Sequence, residues 1–203
     1  MLISLDYLIL KYNIILNGVI HVGAHECEEI TLYEKYIDRN KILWIEGLEN
    51  KVLLNKSKYK NLLIENAVVS DIEETVKFNI SSNGQSSSIL EFGLHKQFHS
   101  DITFIDTVYV NTKLLKNILI NYNIPFNFIN LDIQGVELKA LKGMENYLNQ
   151  IQYIYTEVNS DYVYENCCLI EEIDLFLSKY NFIRVETEWC GENKWGDAFY
   201  IKN

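Results

Sequence analysis

The segment His21-Val22-Gly23-Ala24-His25-Glu26-Cys27 places two small residues and several titratable groups directly after a short apolar run. At the carboxyl end of a strand, Gly23 and Ala24 let the backbone approach a ligand closely; the competing reading is a tight strand-to-helix turn with no ligand. The turn lacks a full G-x-G-x-x-G, so it offers no cradle for a pyrophosphate. Glu26, Glu28 and Glu29 follow at once. Their charge suits a helix start and repels phosphate, whereas a cationic nucleoside tolerates it. Glu46 closes the run Leu43-Trp44-Ile45-Glu46-Gly47. It lies about twenty residues beyond Gly23, where a carboxylate can take both hydroxyls of a ribose. Its alternative is a solvated strand end or a helix cap. Together these residues point to an adenosine-containing cofactor without a pyrophosphate, and S-adenosylmethionine is the candidate.

The elements that must position these residues are legible as an alternation of short apolar runs and helical patterns, which predicts an α/β chain. Strands are expected at 19–22, 42–46, 62–64, 76–80, 104–110, 126–131, 153–158, 182–186 and 198–201. Helical spacing covers 2–12, 28–37, 48–58, the face Leu114, Leu115, Ile118 and Leu119, then 136–148 with Gly143 as an interruption, and 168–180. The alternation predicts about seven strands in one sheet, with helices on both faces. Ser81 to Ser88 is a polar loop.

A chain of 203 residues fits one domain, 1–203, with residues 1–18 as an N-terminal helical extension. That helix either covers the core or makes a homodimer contact. The chain carries 18 Lys and Arg against 28 Asp and Glu, a formal charge of -10. This balance disfavours nucleic acid as the main partner. The four cysteines, Cys27, Cys167, Cys168 and Cys190, suit neither an ordinary disulfide nor a zinc site, which fits a reducing, cytoplasmic setting. The apolar stretch from Met1 to Ile20 is interrupted by Asp6, Lys11, Asn13 and Asn17, so neither a signal peptide nor a membrane span is expected.

A third segment, Phe128-Ile129-Asn130-Leu131-Asp132-Ile133-Gln134-Gly135-Val136-Glu137, continues to Leu141-Lys142-Gly143. It resembles the "Asp-x-Glu-Gly-x-Glu, then Leu-Lys-Gly" signature of FkbM-type S-adenosylmethionine-dependent methyltransferases. Several further segments agree in order: Val22-Gly23-Ala24 with the family's "Asp-Val-Gly-Ala-Asn" turn, Glu46 with its ribose acid, and Asn66-Ala67-Val68-Val69-Ser70-Asp71 with the segment after its third strand. The Ser-rich loop from Gly84 to Ser88, Glu157-Val158-Asn159 and Trp195-Gly196-Asp197-Ala198 are also similar, so the likeness runs from about Val19 almost to the C-terminus. Three residues depart from the pattern. His21 stands where the family usually has Asp, Cys27 near its later Gly, and Gln134 in place of the common Glu.

The resemblance implies a class I methyltransferase fold, Rossmann-like, with a seven-stranded, mostly parallel sheet whose last strand is antiparallel. It implies methyl transfer from S-adenosylmethionine to a hydroxyl of a sugar or another small hydroxylated acceptor. His21, Gly23, Ala24, His25, Glu46, Asn66, Ala67, Ser87 and Asp132 are the candidate cofactor-binding residues. Asp132 and Glu157 are the candidates for positioning the acceptor and removing its proton, since in-line displacement needs both. Either could instead be a loop or cap carboxylate. Because His21 brings no fixed negative charge, another acid, Asp132 or Glu26, is expected to meet the cofactor's amino group. His25 is a ligand contact or a replacement for that missing charge; His95 and His99 read first as surface residues and second as acceptor-side bases. Tyr153, Tyr155, Tyr162, Tyr164 and Trp195 read as core before stacking platforms. No spacing demands a metal ion. Two alternatives remain: an NAD(P)-dependent oxidoreductase, and a catalytically silent relative that binds the cofactor or a partner.

Overall fold

Most of the sheet's parallel strands are buried on both faces, an arrangement that only helices on both sides of a sheet can provide. The computed structural model describes residues 1–203. Its first half runs α1 (Leu5–Tyr12), β1 (Val19–Val22), α2 (Ile30–Tyr33), β2 (Ile42–Glu46), α3 (Glu49–Lys58), β3 (Leu63–Asn66), β4 (Thr75–Ser81), α4 (His95–Phe98) and β5 (Phe104–Asn111). The second half runs α5 (Leu115–Leu119), β6 (Phe128–Leu131), α6 (Glu137–Lys142), β7 (Tyr153–Asn159), α7 (Ile170–Ser178), β8 (Phe182–Trp189) and β9 (Trp195–Lys202). Seven strands form one sheet in the order β3-β2-β1-β6-β7-β9-β8. The final strand, β9, is antiparallel to both neighbours, and the remaining pairings are parallel. The chain thus has the fold class the sequence implied.

Side chains alternate across each strand and build two cores. On one face Ile20, Val22, Ile129 and Leu131 pack with Leu115 and Ile118 of α5, Leu141 of α6 and Ile173 of α7. On the other, Val19, Trp44, Phe128 and Phe199 pack with Leu5 and Leu8 of α1, Ile30 and Tyr33 of α2 and Val52 of α3. The N-terminal helix therefore covers core. No helix is long and apolar enough to cross a membrane.

Three expectations change. The stretches at 76–80 and 104–110 are strands, but they pair only with each other, as an antiparallel ribbon outside the main sheet. Burial explains this: β5 is exposed along most of its length and could not sit between two helical layers. The helix expected at 28–37 shrinks to α2, because His25 and Cys27 adopt positive φ (40° and 55°) and Glu28 folds back onto the turn. The opening helix starts at Leu5 rather than Leu2. The Ser4 side chain accepts from the Tyr7 N–H, and the N–H groups of Leu2 and Ile3 go instead to Asp197 (2.5 Å) and the Tyr155 hydroxyl (3.0 Å). Within 136–148 the helix does break at Gly143.

Candidate functional site

The carboxyl ends of β1, β2, β6 and β7 open into one cavity of about 450 Å³, within the usual range for small-ligand sites. His21, Gly23, His25, Glu46, Ala67, Ser87, Asp132 and Glu157 all line it. Ala24 and Asn66 do not. Ala24 is buried with its N–H on the Ile45 carbonyl (3.1 Å). The Asn66 amide donates to the carbonyls of Glu46 (2.9 Å) and Gly47 (3.1 Å), so it braces the end of β2 from outside.

Glu46 is the hinge between the first two turns. One carboxylate oxygen accepts the His25 N–H (2.6 Å) and the other the Leu48 N–H (2.7 Å). Burial raises its pKa, and these backbone donors oppose the rise. Each oxygen keeps a lone pair for a ligand hydroxyl. Glu46→Ala should weaken adenosyl-ligand affinity by about tenfold or more, since hydrogen bonds to a charged group are worth roughly 1.5–3 kcal/mol. Calorimetric titration with S-adenosylhomocysteine checks this; unchanged affinity would remove Glu46 from ribose binding.

Asp132 and Glu157 leave adjacent strands, and Gln134 joins them. Its side-chain amide donates to Asp132 Oδ1 (2.6 Å) and Glu157 Oε2 (2.8 Å), while its oxygen accepts the Tyr164 hydroxyl (2.6 Å). A glutamate at 134 would set a third carboxylate among like charges. Glu157 is pushed well above the usual carboxylate range, first by burial and then by the charges of Asp132 and Glu137. That crowding favours the protonated form of Glu157.

Glu137 has a different task. It is fully buried, and its Oε1 accepts the N–H groups of Ile133 (3.0 Å) and Gly135 (3.1 Å), closing the turn that carries Gln134. Burial pushes its pKa from 4.5 up to about 7. The folded chain therefore binds more protons than the unfolded chain across this window, and stability falls as pH rises through it. Glu137→Gln keeps the accepting oxygen and loses the charge. Relative to the parent, it should gain roughly 2–3 kcal/mol on going from pH 4.5 to pH 8, at about 1.4 kcal/mol per pKa unit. Urea unfolding at the two pH values measures the gain, and a pH-independent difference would contradict it.

Several residues escaped the sequence reading or changed role. His95, expected at the surface, is 4% exposed. Its ring stacks on Phe92 with centroids 4.2 Å apart, and its Nε2 lies 3.3 Å from Ser86 Oγ. Burial lowers its pKa to about 4. Tyr155 and Tyr164 are buried and reach the cavity, whereas Tyr162 is exposed. Glu26 turns away to an ion pair with Lys51 (2.5 Å), so it does not take the place of the acid missing at position 21. Glu29, one turn later, does line the cavity. No pattern in the sequence marks this, because it is the late start of α2, set by the positive φ angles at His25 and Cys27, that brings Glu29 back toward β1.

Residues 21–184 match the Methyltransferase FkbM domain family. Among solved structures the chain is similar to magnesium protoporphyrin IX methyltransferase from Synechocystis, with 10% identity, a TM-score of 0.53, and coverage of 98% of this chain and 76% of that one. It is also similar to an S-adenosylmethionine-dependent methyltransferase from Clostridium acetobutylicum, with 7% identity, a TM-score of 0.53, and coverage of 98% and 89%. At such identities the likeness concerns the fold. No curated protein matches the sequence.

Proposed function

Because the chain belongs to the FkbM methyltransferase family, we propose that it transfers a methyl group from S-adenosylmethionine to a hydroxyl of a sugar or another small hydroxylated acceptor. The residues present fit that methyl donor. Glu46 keeps lone pairs for two ribose hydroxyls, and Ile45, Val68 and Phe78 supply an apolar wall for a purine. The turn after β1 puts Glu28 and Glu29 where a dinucleotide would need to lay its pyrophosphate, which counts against the nicotinamide alternative.

The observation that carries the hydroxyl reading is the Asp132–Gln134–Glu157 bridge inside the cavity. When bound, the sulfonium supplies an electrophilic methyl. The chain's own residues must then align an acceptor oxygen and take its proton as the new bond forms. Gln134 holds the two carboxylates in place, so neither has to reorganise during the step. Asp132 takes the proton and Glu157 steadies the acid pair. The intact bridge favours turnover over a silent relative. Ser86, Ser87, Asn83 and Gln85 line the other side with hydroxyls and amides, and the chain's net charge of -10 disfavours a polyanion.

A screen with S-adenosylmethionine and neutral glycosides, phenols and primary amines, read as S-adenosylhomocysteine formed, tests this reading. Methyl ethers from the glycosides support it. Methyl ethers from the phenols alone would narrow it to an aryl hydroxyl, and transfer confined to the amines would replace it.

A further inference from the structure

His21 occupies the position where FkbM-type sequences usually carry Asp, and its neighbours decide what it offers instead. The residue is 3% exposed and lines the cavity. It sits in a row across the sheet, opposite Trp44 on β2 and Asn130 on β6, and its ring stacks on Trp44 with centroids 4.6 Å apart. Its Nδ1 lies 3.1 Å from the Tyr33 hydroxyl and 3.3 Å from Asn130 Nδ2. The Asn130 amide also donates to the Tyr33 oxygen (3.1 Å), which directs the Tyr33 proton to Nδ1. With two donors converging on it, Nδ1 must accept, and the ring proton sits on Nε2. That Nε2–H makes no hydrogen bond within the chain. The nearest charge it faces is Glu29 Oε2, 4.0 Å away.

Glu29 is the complement. The other acids of this corner are engaged: Glu26 with Lys51, Glu28 with His25 Nδ1 (2.6 Å) and the Glu26 N–H (3.1 Å), and Glu46 with two backbone N–H groups. The Glu29 carboxylate accepts no hydrogen bond and reaches the cavity. The Met1 amino group stands 4.0 Å from its Oε1.

An imidazole N–H and a carboxylate that accepts no hydrogen bond, side by side in one wall, complement a zwitterion, whose ammonium can approach Glu29 more closely than the Met1 amino group does. We propose that His21 and Glu29 hold the α-amino-acid group of the methyl donor, Glu29 taking the ammonium and His21 Nε2–H the carboxylate. The charge usual at position 21 is then supplied from position 29. This inference rests on the methyl-donor reading above.

Three ligands separate the parts: S-adenosylhomocysteine, the amine left when its carboxylate is removed, and methylthioadenosine, which lacks the amino-acid group. Calorimetric affinities for the parent, Glu29→Gln and His21→Phe give the result. Glu29→Gln should lose about tenfold or more for the two ligands that carry an ammonium, and nothing for methylthioadenosine. His21→Phe, which keeps the stacking on Trp44, should lose affinity for S-adenosylhomocysteine alone. Retained methylthioadenosine binding shows that each variant is folded; should His21→Phe not fold, the Glu29→Gln comparison decides. Equal losses for all three ligands, or undiminished S-adenosylhomocysteine affinity in Glu29→Gln, would overturn the proposal. If the parent binds none of the three, the methyl-donor reading falls first and takes this one with it.

Discussion

Asp132→Asn should leave a folded chain that still binds S-adenosylhomocysteine within a few fold but transfers methyl groups about 10² to 10⁴ times more slowly, the usual worth of a positioned general base. The substitution is nearly isosteric. The asparagine oxygen can still accept from the Gln134 amide, which donates to Asp132 Oδ1 at 2.6 Å in the parent. What disappears is the charge. The same charge raises the pKa of Glu157, so the neighbour should ionise more readily in the variant. The residual rate should accordingly show a pH profile displaced toward lower pH. Rates measured on an acceptor from the glycoside screen, with affinities taken in parallel, distinguish the outcomes. A variant that turns over normally refutes the role of Asp132 as base, and one that loses affinity in proportion to rate reassigns it to the cofactor.

Gly23→Ala should destabilise the fold severely. At Gly23 the backbone has φ +89°, and an added Cβ would fall 1.8 Å from the Asp132 carbonyl oxygen. That carbonyl belongs to the backbone where β1 and β6 run side by side, with the Asp132 N–H on the Val22 carbonyl (3.0 Å). No rotamer change can relieve the overlap; the two strand ends must separate. Positive φ adds about 1–3 kcal/mol of strain by itself, and the clash should bring the total above about 4 kcal/mol. For a chain of 203 residues this corresponds to a drop in Tm of roughly 10 °C, at about 2–4 °C per kcal/mol. Thermal unfolding followed by circular dichroism tests it. A loss of under about 1 kcal/mol, no more than an ordinary surface or core change costs, would mean that β1 and β6 do not approach this closely.

Gly23 also shows what a motif can and cannot say. Its place after a strand announced a turn near a ligand, yet the reason that only glycine fits is an atom of Asp132, on a segment far away in sequence. Gln134 makes the same point in reverse. Read along the chain it is a departure from a family pattern; in space it is the amide that lets Asp132 and Glu157 stand together. His95 looked like a loop histidine because no strand or helix pattern covers its segment, and it is buried because Phe92, three residues earlier, stacks on its ring and Tyr164 reaches over it from a distant segment.

The alternation of apolar runs and helical patterns was enough for the α/β class, the parallel sheet and the strand ends that carry Gly23, Glu46, Asp132 and Glu157, because backbone periodicity and strand burial are local properties. The family likeness was equally local, a set of short segments in order. The assignment of the runs at 76–80 and 104–110 to a separate ribbon was not, since it depends on which faces other segments leave uncovered. Nor was the emergence of Glu29 rather than Glu26 at the cavity wall. Both acids follow the same turn, and their directions are set by two positive φ angles and by the reach of Lys51 from α3. Hydrogen-bond partners, proton positions and clashes are made between segments distant in sequence, and only the folded chain brings those segments within reach.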